Sequence, residues 1–576
     1  MLDLVIRGGT VVDGTGAAGR RADVGVRDGR IVAVGDIGPD EVGDTTETFD
    51  ATGLVVAPGF VDPHTHYDAQ LFWDPAATPS NVHGVTSIVA GNCGFTLAPL
   101  QPGDGDYLRR MMAKVEGMPL AALETGVPWG WETFGEYLDQ LDGRIGVNAG
   151  FMVGHCALRR YVMGADAVGS EATSEQVDAM VALLHQAIDA GGFGFSTTLS
   201  STHSDGDGQP VASRHASHDE LLALCRAVGE HDGTVLEGAF EGGLDKFSDD
   251  EIELVAAMSV ASGGRSINWN VLTVDSSVPD RVPRQLQAAD RATEQGGQVV
   301  ALTMPVLVPM NMSFGTFCAL YLIPGWGPVL TLPPEEKQAT LADPEVRATL
   351  AAQAQSEEAG VFRRLTDWAR YVIGDTYSDA NEGLAGRQVA DIAAERGDAD
   401  PFATLLDIVA ADDFRTVLWP MPTDNDDESW KMRQEGWGDP RVLLGGSDAG
   451  AHLDRMCGAT YTTRLLADCL RGRQLASLER AVQMLTDEPA RLFGLKDRGQ
   501  VAEGFHADLV VFDPDTVGAG PARLVHDLPG GAARLTAEAE GVVRVYVGGV
   551  ATVVDNEGTG ATPGRVLRSG VDTATV

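Results

Sequence analysis

The sequence predicts an α/β protein: a (β/α)8, TIM-like barrel joined to a small β-sandwich built from both chain termini. Three observations carry this. The middle of the chain alternates short apolar runs that end in polar residues with stretches of helical period. Both ends instead show short β-rich runs separated by Asp-Gly and Gly-Gly pairs. With 576 residues, the chain also exceeds what one ordinary core needs. The expected division is a sandwich part over 1–56, a barrel over 57–495 and a second sandwich part over 496–576. Insertions are expected at about 101–142 and 313–422.

At the N-terminus, Leu4 to Val12, Ala22 to Val26 and Arg30 to Val34 read as strands punctuated by Gly8-Gly9, Asp13-Gly14 and Asp28-Gly29. Ala507 to Phe512 and Val542 to Val547, the latter closed by Gly548-Gly549, answer them at the far end. Neither set buries much alone, so packing one against the other is expected. The first barrel strand is the run from Val55 through Pro58-Gly59 to His64-Thr65-His66. The others are Thr86 to Gly91, Val147 to His155, Gly194 to Ser196, Thr234 to Glu237, Ser266 to Val271, Val299 to Thr303 and Val442 to Asp448. Helices such as Ser174 to Ala190, Asp219 to Glu230 and Pro283 to Glu294 alternate with them. Strand-helix alternation implies a parallel sheet, and in a barrel the chemistry collects at the strands' C-terminal ends. The insertions are expected to form lids and substrate walls, with peripheral decoration as the alternative. The residues from Ser569 to Val576 read as a frayed tail.

The formal charge of -41 argues against nucleic acid and anionic membrane surfaces as partners. The six cysteines, Cys93, Cys156, Cys225, Cys318, Cys457 and Cys469, form no Cys-X-X-Cys pair and read as reduced thiols. No signal-peptide pattern opens the chain and no apolar run is long enough to span a bilayer. The expectation is a cytoplasmic protein acting on a small molecule. Symmetric homo-oligomers are a common form of such barrels.

Two imidazoles one residue apart on a strand share a face, because side chains alternate. His64 and His66 therefore suit a metal ion, the alternative being solvated loop histidines. Cys93, in Gly91-Asn92-Cys93-Gly94, ends the second strand and faces the same mouth; it is a ligand or a small buried apolar residue. Asp448, in Gly445-Gly446-Ser447-Asp448-Ala449-Gly450-Ala451-His452, follows the last strand and is a turn former or a metal-side carboxylate able to move a proton. His452 beside it is placed to orient Asp448 or to donate to an oxyanion on the substrate.

Together with Val153-Gly154-His155, Gly194-Phe195-Ser196-Thr197 and Gly504-Phe505-His506-Ala507-Asp508-Leu509-Val510, these motifs resemble the amidohydrolase superfamily, and within it the N-acyl-D-amino-acid deacylase group. The resemblance spans nearly the whole chain except the insertions. It implies a hydrolase of linear amides, most simply N-acyl amino acids. His64, His66, Cys93 and Asp448 would be metal ligands, Cys93 taking the place of a bridging carbamylated lysine, and Asp448 the general base. The family's usual histidines at the ends of strands five and six are missing: the fifth reads Val235-Leu236-Glu237-Gly238-Ala239 and the sixth Ile267-Asn268-Trp269-Asn270-Val271. Glu237 is an oxygen donor able to substitute in part. One Zn2+ ion, rather than two, is the expected cofactor, with one of its four protein ligands loose enough to admit water.

His155 ends the third strand and His203 follows the fourth, so both would face the mouth; each is a group that polarises the scissile carbonyl or stabilises the oxyanion, the alternative being a histidine that only hydrogen-bonds a loop. Arg159, Arg214 and Arg455, near predicted strand ends, are candidate partners for a substrate carboxylate or else ordinary surface arginines, and His452 joins them on the substrate side. The tryptophans of the first insertion, with Phe314 and Phe317, line an acyl pocket or pack in a core. The alternatives are a cyclic-amide hydrolase of the hydantoinase or dihydropyrimidinase kind, against which the cysteine counts, and a metal-binding protein without turnover.

Overall fold

The structure, a computed structural model, describes residues 1–315 and 318–576; Phe317 lies outside the described residues. The chain opens with β1 (Leu4–Val11), β2 (Arg20–Arg27), β3 (Arg30–Gly35), β4 (Glu47–Asp50) and β5 (Val55–Pro58). The β2–β3 hairpin turns on Asp28 and Gly29, at φ 51° and 71°. Both central residues are left-handed, as a tight hairpin with right-handed strand twist requires. β5 is buried throughout and pairs parallel with β1.

The central strands follow: β6 (Phe60–Asp62), β7 (Val85–Ala90), β8 (Asn148–Phe151), β9 (Val153–Gly154), β10 (Gly194–Thr198), β11 (Val235–Ala239), β12 (Ser266–Trp269), β13 (Gln298–Thr303) and β14 (Val442–Leu444). All pair in parallel, in ladders β6-β7-β8 and β9-β10-β11-β12-β13-β14. β8 and β9 are separated by Met152 alone, and its amide donates to the Ala90 carbonyl at 2.8 Å, so the two ladders stay joined there. At the other edge the first strand's continuation meets the last: Thr65 bridges Ala449, and the His66 amide donates to the Ala449 carbonyl at 2.7 Å. β7, β8, β10 and β11 are buried at every residue, which accounts for apolar runs in place of alternation.

The helices between them have legible starts. Thr173 caps the helix Ser174–Asp189 in a reciprocal box with Gln176, and Ser248 caps Asp249–Ala261 with Glu251. The helices His218–Gly229 and Arg281–Glu294 lie within two residues of the sequence expectation. One boundary differs. The third strand stops at Gly154 and His155 opens the helix His155–Met163.

The far end supplies β15 (Leu509–Phe512), β16 (Val542–Val547), β17 (Val550–Val554) and β18 (Glu557–Gly558). β15 pairs antiparallel with β5, Leu509 opposite Pro58 and Phe512 opposite Val55. The two termini thus share one nine-stranded sheet, in the order β18-β17-β16-β15-β5-β1-β2-β3 with β4 beside β1. The join between the chain ends is a hydrogen-bonded seam in addition to side-chain packing. Leu4, Ile6, Val24, Val56, Leu509 and Val511 fill the core behind it. β5 passes directly into β6 at Gly59, where a Cβ would lie 2.2 Å from Thr86. Only glycine allows this approach, and it fixes where the following His64 and His66 emerge.

The first insertion folds as the helices Gly105–Val115, Leu120–Gly126 and Phe134–Leu141, and its Met111, Met112, Trp131 and Tyr137 are part of the central core. The second carries a core of its own, with Trp326 stacked 5.5 Å from Trp368 and Phe314 edge-on to Trp326. Trp131 and Phe314 therefore pack in cores. The expected frayed tail is docked: the Thr573 hydroxyl donates to Gly233 at 2.6 Å and the Ala574 amide to Gly494 at 2.8 Å. Among the described residues, no helix is long and apolar enough to cross a membrane.

Leu509 is fully buried in the seam core. Leu509→Ala is expected to cost about 2–5 kcal/mol of stability, read as a lower urea midpoint for loss of β-sheet circular dichroism.

Candidate metal centre

His64 and His66 leave the end of β6 with ring centroids 5.2 Å apart and planes at 73°. Both are buried. Cys93 reaches them from a turn after β7 in which Gly91, Cys93 and Gly94 all take positive φ. The turn is braced from every side. Asn92 Nδ2 donates to the Thr65 and Val89 carbonyls at 3.0 Å each, the Gly94 amide to Ser196 Oγ at 3.1 Å, and the Cys93 amide to Glu237 Oε2 at 2.7 Å. Asp448 approaches from the loop after β14. Its neighbour Ser447 donates to Asp62 Oδ2 at 2.5 Å, which ties that loop to β6.

Four donor atoms converge. Asp448 Oδ1 lies 3.2 Å from His64 Nε2 and 3.7 Å from His66 Nε2, and Cys93 Sγ lies 3.6 Å from His64 Nε2. Ligand atoms of His64, His66 and Cys93 all fall within 4.8 Å of one another. Cys93, Asp448 and His452 hold left-handed backbones at φ 54°, 51° and 50°. Non-glycine residues in that region cost of order 1–3 kcal/mol each and concentrate at functional sites.

The electrostatics call for a cation. Burial, then Glu237, Glu116 and Asp448, push the Cys93 thiol far above its ordinary range. Burial lifts Glu237 to about 8 against the Cys93 amide, lifts Asp62 to about 7 against the Ser447 hydroxyl, and raises Glu116. Burial disfavours charge on His66, but Glu116 and Asp448 outweigh it and bring it to about 9. Burial also works against ionised Asp448, yet hydrogen bonds from His64 and His66 hold it well below the carboxylate range. Without a cation, burial thus holds the thiol and Glu237 in their neutral forms; with one, the same thiol, carboxylates and imidazoles become a dehydrated anionic donor set that answers its charge. Nitrogen, sulfur and carboxylate together suit zinc. The residues therefore fit a bound metal ion.

The other expected site residues divide. His203 lies beside the centre. Its Nδ1 is 2.7 Å from Thr198 Oγ1, and burial, then the charge of His66, hold it neutral, near 4. His452 Nδ1 accepts from Arg455 Nη2 at 2.8 Å, and burial and that guanidinium lower it to about 3. Arg455 is buried and also paired with Asp454, so it braces His452. Arg214 donates to the Ser201 and His203 carbonyls at 3.4 and 3.1 Å, supporting the loop that carries His203. Glu237 Oε1 stands 3.8 Å from His64 Nδ1 and 4.0 Å from Cys93 Sγ, at the edge of the donor set.

His155 and Arg159, expected at the substrate, are instead engaged by Glu220. His155 bonds Thr197 Oγ1 at 2.9 Å and Glu220 Oε1 at 2.8 Å, while Arg159 Nη1 bonds both Glu220 oxygens at 2.6 and 2.5 Å. All three side chains are wholly buried, so the trio cross-braces the helix His155–Met163 against His218–Gly229. Two residues at the centre were not anticipated as participants. Glu116, from the first insertion, places Oε1 3.5 Å from His66 Nδ1. Asn270 places Nδ2 3.1 Å from His64 Nε2 and Oδ1 3.8 Å from Cys93 Sγ. Asn270 was visible only as the place of a missing histidine, and Glu116 gave no signal.

The Amidohydrolase family model matches residues 47–553. The chain belongs to the amidohydrolase family. This amidohydrolase is 32% identical to a D-aminoacylase of Alcaligenes xylosoxydans xylosoxydans, over 98% of this chain and 97% of the other. It is 30% identical to an N-acyl-D-aspartate deacylase of the same organism, over 99% and 95%. Among solved structures it resembles a D-aminoacylase with a binuclear metal centre, at TM-score 0.65 and 29% identity over 99% of this chain and all of the other. It also resembles the N-acyl-D-glutamate deacylase of Bordetella bronchiseptica bound to zinc and a phosphonate inhibitor, at TM-score 0.64 and 27% identity over the same shares.

Arg159→Ala leaves the buried Glu220 carboxylate without its cation. The expected loss is about 3–5 kcal/mol of stability, with metal content per folded chain unchanged. Denaturation and elemental analysis of the purified variant test this, and a metal-free folded variant contradicts the structural role.

Proposed function

We propose that this amidohydrolase is a metal-dependent deacylase that hydrolyses the linear amide of N-acyl amino acids. In this reading β6 to β14 close as a (β/α)8 barrel over about 57–495, and the terminal strands form the sandwich. One zinc ion is held by His64, His66, Cys93 and Asp448, with Glu237 at its margin. The observation that carries the proposal is the convergence of His64, His66, Cys93 and Asp448, the last of which also lines a cavity. When bound, zinc acts as a Lewis acid and lowers the pKa of water towards ~7.

The remaining work falls to the chain's own groups. Asp448 takes a proton from the attacking water at its carboxylate and returns it to the amide nitrogen as the C–N bond breaks. The Thr198 hydroxyl accepts from the Ser200 amide at 3.2 Å, so its own hydrogen is directed to His203 Nδ1. That leaves the His203 proton on Nε2, able to donate to the carbonyl oxygen as charge develops there.

The cavity, about 240 Å3, runs from Ser447 and Asp448 between apolar side chains including Leu272, Met304 and Leu307. Three arginines line it. Arg433 is held by Asp424 and by the Val274 carbonyl at 3.1 Å, and Arg281 donates to Thr273 Oγ1 at 3.1 Å. Arg364 is accessible, and no ion pair or hydrogen bond engages it among the described residues. It is the guanidinium open to a substrate carboxylate, a part that Arg159, Arg214 and Arg455, tied to other groups, do not fill. Six buried free cysteines agree with a reducing, cytoplasmic setting.

Assays of purified protein with a panel of N-acyl amino acids and cyclic imides, before and after chelation, test the assignment. Turnover of the acyl amino acids that disappears with the metal is expected; turnover of cyclic imides alone refutes it. Asp448→Asn is expected to lower kcat about 100- to 10,000-fold. Arg364→Ala is expected to raise KM about 10- to 100-fold for acyl amino acids, with little change for amides lacking the carboxylate.

A further inference from the structure

The first insertion has no place in the strand-helix alternation, yet it delivers one side chain to the metal centre. The helix Gly105–Val115 ends at Glu116, which is 2% exposed. Its Oε1 lies 3.5 Å from His66 Nδ1, a buried nitrogen that no hydrogen bond engages. The backbone of the segment is fixed independently. The Glu116 carbonyl accepts from the His452 amide. At Gly117, with φ +57°, a Cβ would come within 2.5 Å of Arg455 Nη1, so the backbone lies directly against the guanidinium that also holds His452. The insertion is thus wedged between the end of the first strand and the loop after the last.

The geometry points to Glu116 as a positioning residue for His66. The ring's two nitrogens face different partners: Nε2 neighbours Asp448 Oδ1 at 3.7 Å, while Nδ1 faces Glu116. A carboxylate 3.5 Å behind Nδ1 is placed to draw in that nitrogen's proton, which would fix the tautomer that leaves the Nε2 lone pair for the ion, fix the ring's orientation and make Nε2 a stronger donor. Glu116 approaches the nitrogen that the donor set does not use, which sets it apart from a ligand. Glu237 stands behind His64 Nδ1 at 3.8 Å, but it also accepts the Cys93 amide, so Glu116 is the carboxylate whose side chain faces a single imidazole. The assignment rests on the reading that His64, His66, Cys93 and Asp448 hold a metal ion.

The test is cobalt(II) affinity, measured by chelator competition on the full chain for wild type, Glu116→Gln and Glu116→Ala, with thermal midpoints of the metal-free proteins alongside. All three keep the backbone carbonyl that binds His452. The expected result is a loss of about 10- to 100-fold in affinity for the alanine variant, with glutamine, which retains an acceptor oxygen, in between. Affinity within twofold of wild type in both variants, whatever happens to the metal-free midpoints, overturns the assignment. So does an equal loss in both. If the alanine variant fails to fold, the near-isosteric glutamine variant decides alone: a several-fold loss supports the role and an unchanged constant removes it. A wild-type chain that takes up no cobalt overturns the metal reading, and this assignment with it.

Discussion

The seam between the first and last central strands is the constraint on which the site depends. The amide of His66 donates to Ala449 at 2.7 Å, and Thr65 bridges the same residue. Residues almost four hundred positions apart are thereby held to one register, and that register sets Asp448 Oδ1 between the Nε2 atoms of His64 and His66. The Ser447 hydroxyl on Asp62 reinforces it one residue earlier. A slip of one residue along this edge would reverse which side chains face the mouth. The seam of β5 with β15 acts upstream in the same way, because β5 runs into β6 through Gly59 with no linker to absorb a displacement.

A second constraint is charge. Cys93, Glu116, Glu237 and Asp448 are brought within a few ångströms of two imidazoles in a dehydrated space. Such a set is costly to assemble without a cation, since burial alone drives the thiol and carboxylates towards their neutral forms. The cost falls when one ion answers several anionic donors together, which couples folding of this region to occupancy. The left-handed backbones at Cys93 and Asp448 are the same bargain in conformational terms: local strain kept because the surrounding hydrogen bonds over-determine it.

Much of this was legible in the sequence, and the reason differs by residue. His64 and His66 were readable because strand alternation fixes their shared face. Cys93 and Asp448 were readable because each follows an apolar run at a strand end within a glycine-rich turn. His155 was misplaced by one element: the apolar run continues to Val153, but the chain turns into a helix at His155, and nothing local distinguishes a strand's last residue from a helix's first. Glu116 and Arg364 were invisible because both lie in insertions, where no periodicity relates position in the chain to position around the mouth. The paired burial of Arg159 with Glu220 was invisible for the same general reason, since ion pairs between successive helices leave no pattern in spacing.

The residues at the ends of the fifth and sixth strands, where the family resemblance leads one to expect histidines, acquire a physical meaning from the structure. Asn270 and Glu237 lie on the Cys93 side of the centre, Asn270 Nδ2 at 3.1 Å from His64 Nε2 and Glu237 engaged with the Cys93 amide. Two imidazoles there would offer a second ion a nitrogen-rich seat. An amide and a carboxylate already committed to a backbone amide offer weaker, harder donors. This arrangement is in keeping with the single ion proposed on the His64–His66–Asp448 side. It also moves the burden of stiffening that side onto groups outside the donor set, which is where the first insertion meets the centre.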